Sequence, residues 1–186
     1  MGFQLLASRL LGPHFGSSII VWAWLISTFL AAFSIGSMWG GWNSNRSPSD
    51  RRRGQLISSL VAVLALALTA IAGKPLLNQI EVAFPELSTA LLVSCLTLFF
   101  LPVTALSTFG PQCVQFLAAR GTPPGKASGI IYGVSTLGNI AGVMLTAFAL
   151  IPNFPVSTLL YIWLAVAVVS CAALLHLLRE PRPTSP

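Results

Sequence analysis

The chain has 186 residues, of which 55% are apolar and 8% charged, with a net charge of +6 and a mean hydropathy of +0.83. Globular domains carry about 25% charged residues, so this composition lacks the polar surface that a water-soluble domain requires. The acids, Asp50, Glu81, Glu86 and Glu180, fall between or beyond the apolar stretches, which excludes a carboxylate proton relay or an acidic polycation site within them.

Residues 1–12 are apolar apart from Gln4, Ser8 and Arg9. The segment is about half the length needed to cross a bilayer, and Pro13 ends it. It lacks the basic start and small-residue cleavage site of a secretory signal. Two readings are open: an interfacial helix on the outer face, or the outer half of a spanning helix whose first half the chain does not carry. Leu5, Leu6, Leu10 and Leu11 occupy neighbouring helical positions, which suits both.

Five apolar stretches follow, at residues 19–41, 55–73, 89–110, 128–150 and 157–177. Each holds about 19 to 23 residues without a charge, and about 20 residues at 1.5 Å each cross a hydrocarbon core of roughly 30 Å. Backbone groups in lipid must be satisfied within their own segment, and barrel strands would alternate with period two over about ten residues. The expected fold is all-α, a polytopic membrane helical bundle of five full transmembrane helices plus a short N-terminal half or interfacial helix. The expected division is 1–12 for that short helix, 13–178 for the bundle and 179–186 for a cytoplasmic tail.

Arg46, Arg51, Arg52 and Arg53 follow the first full span, Arg120 and Lys126 the third, and Arg179 and Arg182 the fifth. The opposite loops carry Lys74 with Glu81 and Glu86, then the uncharged Pro152-Asn153-Phe154-Pro155. The positive-inside rule makes the arginine-rich loops and the C-terminus cytoplasmic and the N-terminus external. The basic charge is thus a topology signal and not a nucleic-acid footprint, with a secondary affinity for anionic headgroups. Trp22 and Trp24, and Trp39 and Trp42, stand where interfacial aromatic belts form.

Small residues mark helix-packing positions. Gly36 and Gly40, Gly129 and Gly133, and Gly138 and Gly142 are small-x-x-x-small pairs, whose spacing lets backbones approach closely. With two of the pairs, the fourth span is the expected packing centre. Its Ser135, Thr136 and Asn139 lie within about one turn, either as interhelical hydrogen-bonding groups or as a polar lining for a solute path. Pro102 in the third span supplies the kink that such a path uses.

No catalytic, cofactor or metal constellation emerges. His14 and His176 sit near opposite faces, the single alternative being ligation of a haem or pigment by His176. Cys95, Cys113 and Cys171 show no C-x-x-C spacing and read as buried free thiols. Serine, threonine and asparagine in the spans have no histidine or acid at their depth.

Two segments resemble a known family. Ser8-Arg9-Leu10-Leu11-Gly12-Pro13-His14-Phe15-Gly16-Ser17-Ser18, with Val21-Trp22, Ser34-Ile35-Gly36 and Gly40-Gly41, is one. The other is Gly125-Lys126-Ala127-Ser128-Gly129-Ile130-Ile131-Tyr132 with Ser135-Thr136-Leu137-Gly138-Asn139-Ile140-Ala141-Gly142 and Leu150-Ile151-Pro152. Both resemble the membrane domain of bacterial spermidine-synthase-like proteins, the fused major-facilitator and spermidine synthase group. The resemblance covers nearly the whole chain and implies a bacterial inner-membrane protein built like half of a major-facilitator fold. Arg51-Arg52-Arg53-Gly54 after Gly40-Gly41 resembles a major-facilitator loop, with residues 42–49 inserted.

In that family the helices usually precede a cytosolic aminopropyltransferase-like domain, which is expected to be absent here, since residue 186 follows closely on the last span. Gln4 stands roughly where the family carries a glutamate. The chain therefore reads as a non-catalytic accessory or scaffold subunit of a larger membrane complex. Its expected partners are the lipid bilayer and other membrane subunits or a second copy, with no nucleic acid. The alternatives are a half-size transporter of a small solute acting as an oligomer, and a membrane anchor for a separately encoded synthase domain.

Overall fold

A computed structural model describes residues 1–178, so the expected tail at 179–186 lies outside the described residues. Six helices follow one another: α1 (Gly2–Phe15), α2 (Ile19–Ser44), α3 (Pro48–Ala83), α4 (Leu87–Ala119), α5 (Pro124–Asn153) and α6 (Val156–Leu177). No strand occurs among the described residues. Helices α2 to α6 are each long and apolar enough to cross a membrane. The all-α membrane bundle is therefore present, with five full spans and one short helix.

Local chemistry sets the helix starts. The Ser18 hydroxyl accepts from the Val21 N–H at the head of α2. The Ser47 hydroxyl accepts from the Asp50 N–H at the head of α3, with Pro48 in the first turn. Both are side-chain caps for donors that the first turn leaves unsatisfied, and Asp50 adds a favourable charge at the positive end of the helix dipole. Gly16 (φ 74°) ends α1 and Gly121 (φ 88°) follows α4, each in left-handed backbone that glycine adopts at little cost.

The helices overrun the apolar stretches that announced them. α3 has 36 residues, about 54 Å at 1.5 Å per residue, and continues through Lys74, Pro75 and Glu81 to Ala83. An apolar run marks the part of a helix that lies in lipid, whereas residues such as Leu76, Leu77 and Gln79 continue the helix beyond it. α5 likewise takes in Pro152 and Asn153, which the sequence placed in a turn.

The core is centred on α1. Leu6 and Leu11 are fully buried, and Phe3, Ala7 and Leu10 nearly so, against Leu25 of α2, Leu77 of α3, Phe99 of α4 and Leu159 of α6. The Phe3 ring lies 6.0 Å from Phe29, 5.9 Å from Phe99 and 6.2 Å from Trp163, between centroids. α1 is thus a short helix inserted among the spans, with its apolar side chains buried against them. An interfacial helix would leave one face in water. The outer surface has the opposite character, with Met38, Leu60, Leu137 and Val169 among many exposed apolar side chains.

Candidate helix-packing and docking site

Two ends of the bundle differ in charge. Arg46, Arg51, Arg52, Arg53, Arg120 and Lys126 gather at one, where α2, α4 and α6 finish. At the other, His14 Nδ1 lies 2.8 Å from Glu81 Oε2, joining the end of α1 to the end of α3. His176 is exposed in the last turn of α6 at the basic end, so the two histidines are on opposite sides of the bundle. Among the described residues no three His, Cys, Asp or Glu side chains stand close enough to share a metal ion.

The six glycines of the predicted pairs divide sharply. Gly36 and Gly40 lie where α2 meets α4. A Cβ built on Gly36 would meet the Thr104 carbonyl oxygen and stand 2.8 Å from Ser107 Cβ. One on Gly40 would stand 2.7 Å from Thr108 Cα and 2.8 Å from its carbonyl carbon. Apart from Ser107 Cβ these are backbone atoms, so the helices touch at a distance only glycine permits.

Gly129, Gly133, Gly138 and Gly142 have nothing within 4 Å of the corresponding point. The fourth span is not the packing centre of the single chain: 6% of its most apolar window is buried, against 44% for α4. Spacing shows which residues share a face, but another helix must arrive at that face. The two α5 pairs also point apart, since nine residues amount to about two and a half turns.

Several hydroxyls within the spans are satisfied locally. Thr104 donates to Phe100 O, Ser107 to Val103 O and Thr136 to Tyr132 O, each back by one turn. Thr69 on α3 does more. Pro102 has no N–H to offer the carbonyl four residues before it, that of Leu98, and the helix widens into a π turn over Leu96–Phe100. Thr69 Oγ1 crosses from α3 and donates to Leu98 O at 2.8 Å, itself almost fully buried. Pro102 was legible as a perturbation; its partner was not, although a proline in a span always orphans a carbonyl. α5 repeats the device with a π turn over Thr146–Leu150 ahead of Pro152.

The polar residues of α5 form a seam. Ser128, Tyr132, Ser135, Asn139, Gly142 and Thr146 alternate steps of four and three, which keeps them on one face. At its upper part, α1 covers this face: a Cβ on Gly2 would stand 2.7 Å from Thr146 Oγ1 and 2.9 Å from Gly142 O. Thr146 is 1% exposed and its hydroxyl has no hydrogen-bond partner, nor does the buried indole nitrogen of Trp163, which also adjoins Gly2. Below α1, Tyr132, Ser135 and Asn139 are exposed. Ser135, Asn139 and their neighbour Thr136 thus line an outward face and no internal path, and Asn139 makes no side-chain hydrogen bond among the described residues.

Comparison with protein-family profiles, curated proteins and solved structures finds no match for this chain.

Proposed function

We propose that the chain is a non-catalytic membrane module, an accessory or scaffold subunit that receives another transmembrane helix along the seam of α5. The observation that carries this reading is the mismatch on α5: the span richest in small and polar residues is the least buried of the five. An asparagine amide facing lipid is costly, and its natural remedy is a partner helix that donates and accepts. The glycines beside it permit close approach. The motif resemblance to the spermidine-synthase-like membrane domain supports a bacterial inner-membrane setting. The charge difference between the ends supports a cytoplasmic basic end and an external N-terminus.

The test is the mass of the assembly extracted gently from its native membrane, for the wild type and for Ser135→Leu/Asn139→Leu. The expected result is a complex larger than one chain that falls to the single chain in the double variant, with unchanged melting of the isolated chain. A wild type that is a single chain at native membrane levels refutes the reading.

A further inference from the structure

The basic end of α2 carries a surface that the docking seam does not use. Ile35, Met38, Trp39 and Trp42 line a shallow, wide-open apolar groove of about 440 Å³ along roughly the last three turns of the helix. All four are exposed by about half or more of their surface, from 49% at Ile35 to 73% at Met38. Trp39 and Trp42 meet edge to face with centroids 5.3 Å apart, which stiffens the groove wall.

At its mouth the Arg46 guanidinium lies over the Trp42 ring, 3.8 Å from the centroid. This contact fixes a cation where the chain leaves the apolar run. The single acid at this end among the described residues, Asp50, is engaged by the Ser47 hydroxyl at 2.7 Å. The His14–Glu81 ion pair lies at the opposite end. Among the described residues Arg46 is thus an exposed cation without a carboxylate partner, directly above an apolar trough, with Arg53 exposed nearby in sequence.

We propose that the groove and Arg46 together hold one anionic phospholipid, its acyl chain along Ile35, Met38, Trp39 and Trp42 and its phosphate against the guanidinium. The two halves match the two halves of the ligand. From Ile35 to Trp42 the helix rises about 10 Å, enough for the upper part of an acyl chain. A guanidinium presents paired donors to phosphate oxygens in a geometry that an ammonium lacks. A zwitterionic lipid fills the trough equally well but gains less at its mouth, so the site selects by headgroup charge. This inference is independent of the α5 seam, which lies on another helix.

The experiment reconstitutes the full chain in phosphatidylcholine nanodiscs with a graded fraction of phosphatidylglycerol brominated in the upper acyl chain, and reads tryptophan quenching. Half-maximal quenching is expected at about a fivefold higher phosphatidylglycerol fraction for Arg46→Gln than for the wild type, the effect of one cation at the surface. Arg46→Lys should fall between them, and brominated phosphatidylcholine should quench wild type and Arg46→Gln alike. Circular dichroism confirms that each variant is folded. Equal half-points for wild type and Arg46→Gln overturn the proposal. So does an equal loss in Arg53→Gln, which would mean a diffuse surface charge and no site.

Discussion

Replacing Gly40 tests whether α2 and α4 are held together by backbone contact. A methyl group at Gly40 would sit 2.7 Å from Thr108 Cα and 2.8 Å from Thr108 C, while carbon atoms rest at about 3.5 to 4.0 Å. The helices must therefore separate by about 1 Å, and no flexible side chain can give way instead. Overpacking of this kind costs about 1 to 3 kcal/mol, offset by roughly 1 kcal/mol because alanine favours helix over glycine. Gly40→Ala should thus destabilise by about 0 to 2 kcal/mol, and Gly40→Leu by more than about 3 kcal/mol as the whole seam opens. Gly138→Leu, with nothing within 4 Å, should leave the isolated chain's melting near wild type. Thermal unfolding in detergent, followed by circular dichroism, ranks the three. Equal melting of Gly40→Leu and Gly138→Leu refutes the close approach.

Thr69→Val keeps the shape of the side chain but strips Leu98 O of its donor, and should cost about 0.6 to 2 kcal/mol. In a Pro102→Ala background, where residue 102 regains an N–H, the same change should cost less; a double-mutant cycle in detergent unfolding measures the difference. Topology is read by cysteine labelling in intact spheroplasts. Asn45→Cys should resist a membrane-impermeant maleimide while Pro155→Cys reacts, and the reverse pattern inverts the assignment. Among the native thiols, partly exposed Cys113 should react with N-ethylmaleimide in detergent before buried Cys95 and Cys171, as peptide mapping over time will show.

The number of spans was legible because lipid imposes one condition, an apolar run of sufficient length, and all five runs meet it. Their ends were not, because helix propensity and apolar character stop at different residues: α3 runs to Ala83 although its apolar stretch closes at Gly73. The place of α1 was undecided because Leu6, Leu10 and Leu11 look alike whether they meet lipid or protein. The structure shows protein around it: Phe29, Phe99 and Trp163 converge on Phe3 from three distant parts of the chain. The glycine pairs show the same boundary. Gly36 and Gly138 begin identical motifs, yet only the first meets a neighbour within the chain. Ser135, Thr136 and Asn139 were found by composition alone, whereas Thr146 and Trp163 came to notice only through what Gly2 touches.

The position of α1 also orders biogenesis in time. Its first turn packs against Trp163, about as far along the chain as two partners here can be, so the contact cannot exist until α6 has entered the bilayer. α1 is synthesised before α6, so its Phe3 ring meets Phe29 and Phe99 earlier than it can meet Trp163. During that interval the fourteen-residue α1 has its α2, α3 and α4 neighbours but lacks the Trp163 side of its pocket. The consequence of losing α6 is therefore felt at α1, far in sequence from the damage: a chain truncated before α6 leaves one side of Phe3 uncovered.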